Sequence, residues 1–173
     1  MNESQNTLSE AAWLKRIRQH IPGFDGYADP EKRTEEDERF RRFLDRAVAR
    51  SVVRVEDLEH SVAEEKRLDL LSDFDHILSG LKHLREVLAL PPDAEEDAAD
   101  INSETISEWH REDCEYLEGL AAFIERIEQL PASCPERNDV LLLKDTLDRL
   151  LQRIHERSRR DVPVTDAPER EDG

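Results

Sequence analysis

The sequence predicts an all-α fold, an antiparallel four-helix bundle with an additional short N-terminal helix. Apolar residues recur at alternating spacings of three and four in four long segments, which places one apolar stripe on each of four helices. Such stripes become buried when they pack against one another. The chain has only five glycines, and charged residues make up 39% of it, which disfavours strands and suits helices with a solvated outer face. The stripes are Phe40, Leu44, Ala47, Ser51, Val55, Leu58 and Val62; Leu70, Phe74, Ile77, Leu81, Leu84 and Leu88; Ile106, Trp109, Leu117, Leu120, Ile124 and Ile127; and Val140, Leu143, Leu147, Leu150 and Ile154.

The 173 residues are expected to form one domain. Residues 1–7 are polar and are predicted to be a disordered N-terminus, and residues 161–173 a disordered acidic tail. The helical-bundle domain between them covers residues 8–160. It includes an acidic linker at residues 91–102, which has little apolar surface to bury.

The short N-terminal helix is expected over residues 8–21. Trp13, Ile17 and Ile21 follow one another at intervals of four, which places them on one helix face. Pro22-Gly23 ends the helix, because proline and glycine are typical of helix termini and turns.

The second helix is expected from about Thr34 to Ala63 and the third from about Leu68 to Leu90. The segment Glu64–Arg67 interrupts the apolar pattern, and we predict a turn there. No glycine or proline marks it, so a continuous helix through this point is the alternative. Pro91-Pro92 ends the third helix.

The fourth helix is expected from Ser103 to Leu130 and the fifth from about Glu136 to Arg157. Asp113 interrupts the stripe of the fourth helix. A buried polar residue in such a position can set the register of a helix against its neighbours, as it does in coiled coils. We therefore interpret Asp113 as a buried register-setting residue.

The net charge of −17 excludes some classes of partner. A field of this sign repels phosphate backbones and anionic membrane surfaces, so no nucleic acid is expected as a ligand. No apolar run is long enough to cross a bilayer and Met1–Leu8 lacks a signal-peptide core, which predicts a cytoplasmic protein without membrane insertion. In the cytoplasm Cys114 and Cys134 are expected to be reduced. A halophilic source would produce the same acidic, lysine-poor composition.

The sequence offers a metal or redox site only as an alternative, built on His60, His76, His110 and Cys114. His60 and His76 each follow an aspartate by three residues, and His110 and Cys114 share a helix face at i, i+4. A structural zinc site needs four ligands, and a Cys-His catalytic pair needs a pocket and an oxyanion hole. The predicted function therefore includes no cofactor, no metal and no catalytic residue.

The aromatic residues Trp13, Phe24 and Tyr27 admit two interpretations. Phe24 and Tyr27 lie in the turn Pro22–Tyr27, where two glycines permit positive φ angles and the rings supply apolar area. The first interpretation is an ordered turn that packs into the core and holds the first helix. The second is an exposed patch that binds a partner.

The turn Ile21-Pro22-Gly23-Phe24-Asp25-Gly26-Tyr27 and the residues after it resemble a group of uncharacterised bacterial helical proteins. In that group a Pro-Gly-aromatic-x-Gly-Tyr turn precedes a long charged helix, and a second recurring segment is similar to Arg67–Phe74 here. This chain has Glu64-Glu65-Lys66 where the group tends to carry a glycine, and an acidic linker where the group tends to carry a Gly- and Tyr-containing segment. The resemblance implies a helical fold and no particular activity. The residues that follow the turn and match are Arg33, Glu36, Asp37, Arg41 and Leu44.

The favoured function is that of a non-enzymatic interaction or scaffold protein. It would bind a protein partner of unknown identity, or a second copy of itself as a homodimer, through helix faces or the Pro22–Tyr27 turn. The alternatives are the metal-binding or redox bundle described above and an acidic adaptor that recruits a basic partner protein. A helical bundle serves all three functions, so the fold alone does not choose between them.

Overall fold

The computed structural model describes residues 10–90, 101–131 and 135–158, and these form five α-helices that pack together. This confirms the all-α helical bundle. The predictions for residues 1–7, for residues 91–100 of the linker, for Cys134 and for the tail lie outside the described residues. The helices are α1 (Glu10–His20), α2 (Arg33–Glu64), α3 (Leu68–Ala89), α4 (Ser103–Gln129) and α5 (Arg137–Arg157).

A tight turn separates α2 from α3, as the polar interruption predicts. The backbone N–H of Arg67 donates to the carbonyl of Val62 at 3.0 Å, which closes the end of α2. Lys66 has a φ of 58°. This left-handed conformation costs an L-residue about 1–2 kcal/mol and is the reason that glycine is common at helix ends.

Contacts between side chains give the directions of the helices. Along α2 and α3 the paired residue numbers change in opposite senses, because Asp45 lies 2.8 Å from Arg85 and Glu56 lies 3.4 Å from Lys82. The same is true of α4 and α5, where Glu115 lies 3.5 Å from Arg153 and Asp113 lies 2.8 Å from Arg157. Both pairs of consecutive helices are therefore antiparallel.

Helices α3 and α5 are neighbours that run in the same direction. Asp73 lies 3.2 Å from Lys144 and His76 lies 2.9 Å from Asp148, so the residue numbers rise together. Among the described residues α3 packs against α2 and α5, and α4 packs against α1, α2 and α5. The order around the bundle is therefore α2, α3, α5, α4. The neighbouring pairs α3–α5 and α2–α4 are therefore parallel, whereas the sequence predicts an antiparallel arrangement.

The predicted stripes form the core. Leu81 of α3 and Leu147 of α5 are completely buried, and the two helices approach closely at Gly80. A Cβ atom at Gly80 would lie 2.7 Å from a methyl carbon of Leu147, so the missing side chain permits this approach. Helix α1 lies on α4 and buries Ile17, and Ile21, directly after the helix, is buried as well. None of the described helices combines the length and the apolar character that crossing a bilayer requires.

Leu81→Ala and Leu147→Ala should each lower the free energy of unfolding by about 2–5 kcal/mol, because both side chains are fully buried and their loss leaves a cavity. Leu68→Ala is the control, since Leu68 is 70% exposed. Urea-unfolding curves measure all three. Equal losses at the buried and exposed positions would contradict the assignment of the core.

Candidate functional site

The turn Pro22–Tyr27 is ordered and packs into the bundle. Gly23 and Gly26 have φ angles of 80° and 86°, in the region that glycine adopts without strain. A Cβ atom at Gly26 would lie only 2.7 Å from Nε2 of His110, so a side chain has no room there. The turn brings Phe24 and Tyr27 into the core, where their exposed fractions are 0% and 3%.

Side chains from α1 and α2 hold the backbone of the turn. Arg18 donates through Nε to the carbonyl of Phe24 at 2.7 Å, and Arg33 donates through Nε to the carbonyl of Tyr27 at 2.7 Å. The buried carboxylate of Glu36 accepts the backbone N–H of Asp25 at 2.9 Å. These bonds satisfy polar backbone groups that the compact turn takes away from water.

The rings of the turn pack against His110 of α4. The Tyr27 ring stacks on the imidazole with 5.3 Å between centroids, and the backbone N–H of Tyr27 donates to Nε2 of His110 at 3.2 Å. Phe24 meets Tyr27 edge to face at 5.4 Å and lies 6.4 Å from the ring of Phe40. Aromatic pairs in these geometries stabilise more than their buried area alone would.

Beneath the turn lies a buried cluster of charged groups centred on Arg157. Its guanidinium donates to both carboxylate oxygens of Asp113, at 2.8 and 3.2 Å, and to the hydroxyl of Tyr27 at 2.9 Å. The Tyr27 hydroxyl donates to Asp113 at 2.6 Å. A carboxylate oxygen of Asp37 lies 2.6 Å from Arg157, and the other accepts from Arg41 at 2.6 Å. We call these five residues the Arg157 cluster.

The electrostatics of the cluster favour a fixed arrangement of charges. Burial raises the pKa of Tyr27 well above the usual value of 10.0, and the adjacent Asp113 carboxylate raises it further. Burial opposes the charge of Arg157, but the carboxylates of Asp113 and Asp37 more than offset this and raise its pKa. The phenol therefore stays neutral and the guanidinium stays charged. Two arginines face two aspartates, which leaves the cluster with no net charge.

The arrangement of the Arg157 cluster is that of a structural ion-pair network. Its members come from the turn (Tyr27), from α2 (Asp37 and Arg41), from α4 (Asp113) and from α5 (Arg157). Each hydrogen bond in it joins groups that are buried or nearly so, where pairing is required for stability. Asp113 is completely buried, as the interrupted stripe predicts.

The structure places the predicted partner-binding residues in two environments. Phe24 and Tyr27 are buried, so a partner can reach them only if the turn opens. Trp13 is only partly buried at the edge of the core, and the guanidinium of Arg16 lies 5.1 Å from its ring centroid.

The structure does not bring together the four residues of the metal alternative. His60 is exposed beside Glu64, and His76 is exposed on another helix beside Asp148. His110 is in the core, and the buried Cys114 lies 3.7 Å from Glu118. Over the described ranges, no group of three or more His, Cys, Asp or Glu side chains is arranged to hold a metal ion.

Sequence reasoning gave no role to Arg157 and named Asp37 and Arg41 only in the resemblance, although the sequence contains a signal for Arg157. The stripe of α5 ends at Ile154, and Arg157 occupies the next position at a spacing of three. An arginine that continues one apolar stripe and an aspartate that interrupts another are complementary charges on faces that both become buried.

A second feature of the surface is a groove of about 270 Å³ between α2 and α4. We call it the α2–α4 groove. Its floor is apolar and includes buried and half-buried side chains, and charged side chains stand at its rim. The apolar lining is Phe43, Ala47, Leu117, Leu120, Ala121 and Ile124, and the polar lining is His20, Arg50, Glu125 and Glu128.

Comparison of the chain with protein-family models, with curated proteins and with solved structures finds no match. The resemblance to uncharacterised bacterial helical proteins remains a prediction.

Two tyrosines provide a matched test of the Arg157 cluster. Tyr27→Phe should lower the free energy of unfolding by about 1–3 kcal/mol, because it removes a hydroxyl that bonds to two buried charges. Tyr116→Phe should be neutral or stabilising by up to about 1 kcal/mol, because the buried Tyr116 hydroxyl has no hydrogen-bond partner among the described residues. Thermal or urea melts distinguish the two. Equal effects would mean that the Tyr27 hydroxyl contributes nothing specific.

Cys114 should resist alkylation in the folded protein. Burial, reinforced by Glu118, raises the pKa of its thiol to about 11, and the reactive species is the thiolate. Iodoacetamide at pH 8 should modify Cys114 only after unfolding, with peptide mass spectrometry reporting this residue separately. Rapid modification in the folded state would show that α4 is not packed as described.

Proposed function

We propose that this protein is a non-enzymatic interaction protein that binds an amphipathic helix of another protein in the α2–α4 groove. The observation that carries the proposal is the apolar floor of this groove, whose accessible part is formed by the half-buried Phe43 and Ile124 and the exposed Ala121. Leu117, Leu120 and Ile124 follow one another along α4 at helical spacing, and Phe43 and Ala47 face them from α2. A row of apolar side chains between two helices is the usual receptor for an amphipathic helix.

The charges around the groove favour a basic flank on the bound helix. Glu125 and Glu128 stand on the α4 side of the groove and Arg50 on the α2 side, so acidic side chains outnumber basic ones there, and the whole chain carries a net charge of −17. A partner helix with lysine or arginine beside its apolar face would be attracted to this surface and steered to it. The proposal places this protein in the cytoplasm. If the bound helix belongs to a second copy of the chain, the complex is a homodimer.

Two neighbouring alanines of α4 test the groove. Ala121 lines it, whereas Ala122 is also exposed but does not. Ala121→Arg should fill the groove and weaken binding of a fluorescent amphipathic peptide, with leucines on one face and lysines beside them, by roughly tenfold or more. Ala122→Arg adds the same charge and size, so it should leave the affinity within about twofold.

The other outcomes separate the competing functions. If both variants weaken binding equally and salt abolishes it, the acidic surface alone attracts basic partners and the adaptor function replaces the groove. If the chain sediments as a dimer that Ala121→Arg dissociates, the bound helix comes from a second copy. If the peptide shows no saturable binding to the unmodified protein, the proposal is wrong.

A further inference from the structure

We propose that His83 of α3 and His155 of α5 form a binding site for a zinc ion on the outer surface of the bundle. The two Nε2 atoms lie 3.3 Å apart, and the ring centroids are separated by 5.4 Å. Zinc binds histidine nitrogens at about 2.0–2.1 Å in a tetrahedral arrangement, which places two such nitrogens about 3.3–3.4 Å apart. This contact is also within hydrogen-bonding distance, so zinc would replace a hydrogen shared by the two rings, and the separation matches that of two ligands of one tetrahedral ion.

The packing of α3 against α5 fixes this separation. One turn before the pair, Gly80 lets the two helices approach, with its Cβ position 2.7 Å from Leu147. Further along the same seam, His76 and Asp148 lie 2.9 Å apart. His83 lies inside α3, and His155 lies in the last turn of α5, which the pairing of Arg157 with Asp113 holds in place, so both imidazoles are presented from anchored helices, as a metal site requires.

A carboxylate beside His83 favours the tautomer that a zinc ligand needs. Oε2 of Glu86 lies 3.5 Å from Nδ1 of His83, one turn further along α3. A carboxylate near one ring nitrogen favours the proton on that nitrogen, which leaves the lone pair on Nε2 for the metal. The same carboxylate strengthens the imidazole as a ligand.

The site is open to solvent, and this determines how tightly and how reversibly it binds zinc. The side chain of His83 is 51% exposed, and His155 is also exposed, so an ion can enter without any change in the fold. Two protein ligands leave two positions of a tetrahedral ion for water or for a group on another molecule. Such a site is weaker than a structural zinc site with four protein ligands, and it binds zinc reversibly.

Titration of the full chain with zinc chloride in an isothermal titration calorimeter tests the proposal. The expected result is one ion per chain, with affinity at least tenfold weaker in His83→Gln and in His155→Gln. His60→Gln is the matched control, because His60 is an exposed helical histidine that also lies near a glutamate, Glu64, at 3.3 Å. It should bind zinc as the unmodified chain does.

A second measurement covers the possibility that zinc is bound elsewhere. Zinc should raise the midpoint of thermal unfolding of the unmodified protein and of His60→Gln, because it joins α3 to α5 in the folded state only. It should leave the midpoints of His83→Gln and His155→Gln unchanged. Equal affinities in all four proteins would show binding by surface carboxylates and overturn the proposal. The absence of saturable binding to the unmodified chain would overturn it as well.

Discussion

The joining of the N-terminal turn to three helices of the bundle depends on the pairing of one buried arginine side chain. Arg157, the last residue of α5, places a positive charge between the turn, α2 and α4. Its guanidinium lies 4.5 Å from the centroid of the Phe40 ring. A buried charge is tolerated only where opposite charges and hydrogen bonds offset the loss of water, and removing one partner of such a pair costs about 3–5 kcal/mol. Asp113, Asp37 and Tyr27 supply those partners from three separate parts of the chain. The turn is therefore held by charge pairing as well as by its rings, and α1 is held with it.

The helices and the core could be predicted from the sequence because helical periodicity is a local signal. Leu81, Leu147 and Asp113 are buried because their positions in the stripes require it, and the turn at Glu64–Arg67 lies where the pattern breaks. The order of the helices around the bundle could not be predicted in this way. A stripe shows that one face is buried, but it does not say against which neighbour, and so it does not predict the parallel contact of α3 with α5.

The candidate sites were less predictable than the fold because each joins residues far apart in the sequence. His83 and His155 have no motif in common and meet only because α3 and α5 are neighbours. The α2–α4 groove depends in the same way on which helices are adjacent. The residues chosen from the sequence for a metal site shared a helix face in pairs, and such spacing says nothing about contacts between helices. The composition of the turn predicts either a packed clasp or an exposed patch, and Phe24 and Tyr27 are buried as in the first.

The long sequence separation within the Arg157 cluster has a consequence for the order in which the chain folds. The hairpin of α2 and α3 joins segments that are adjacent in the sequence, so its stripes can meet while the ribosome is still making the second half of the chain. Tyr27 and Arg157 are 130 residues apart, and the cluster forms only when the end of α5 has emerged. Until then the Asp113 carboxylate lacks its counter-ion, and the turn with α1 has only part of its docking surface. The turn and α1 precede the other four helices in the sequence, yet they are among the last of the described elements to reach their final positions.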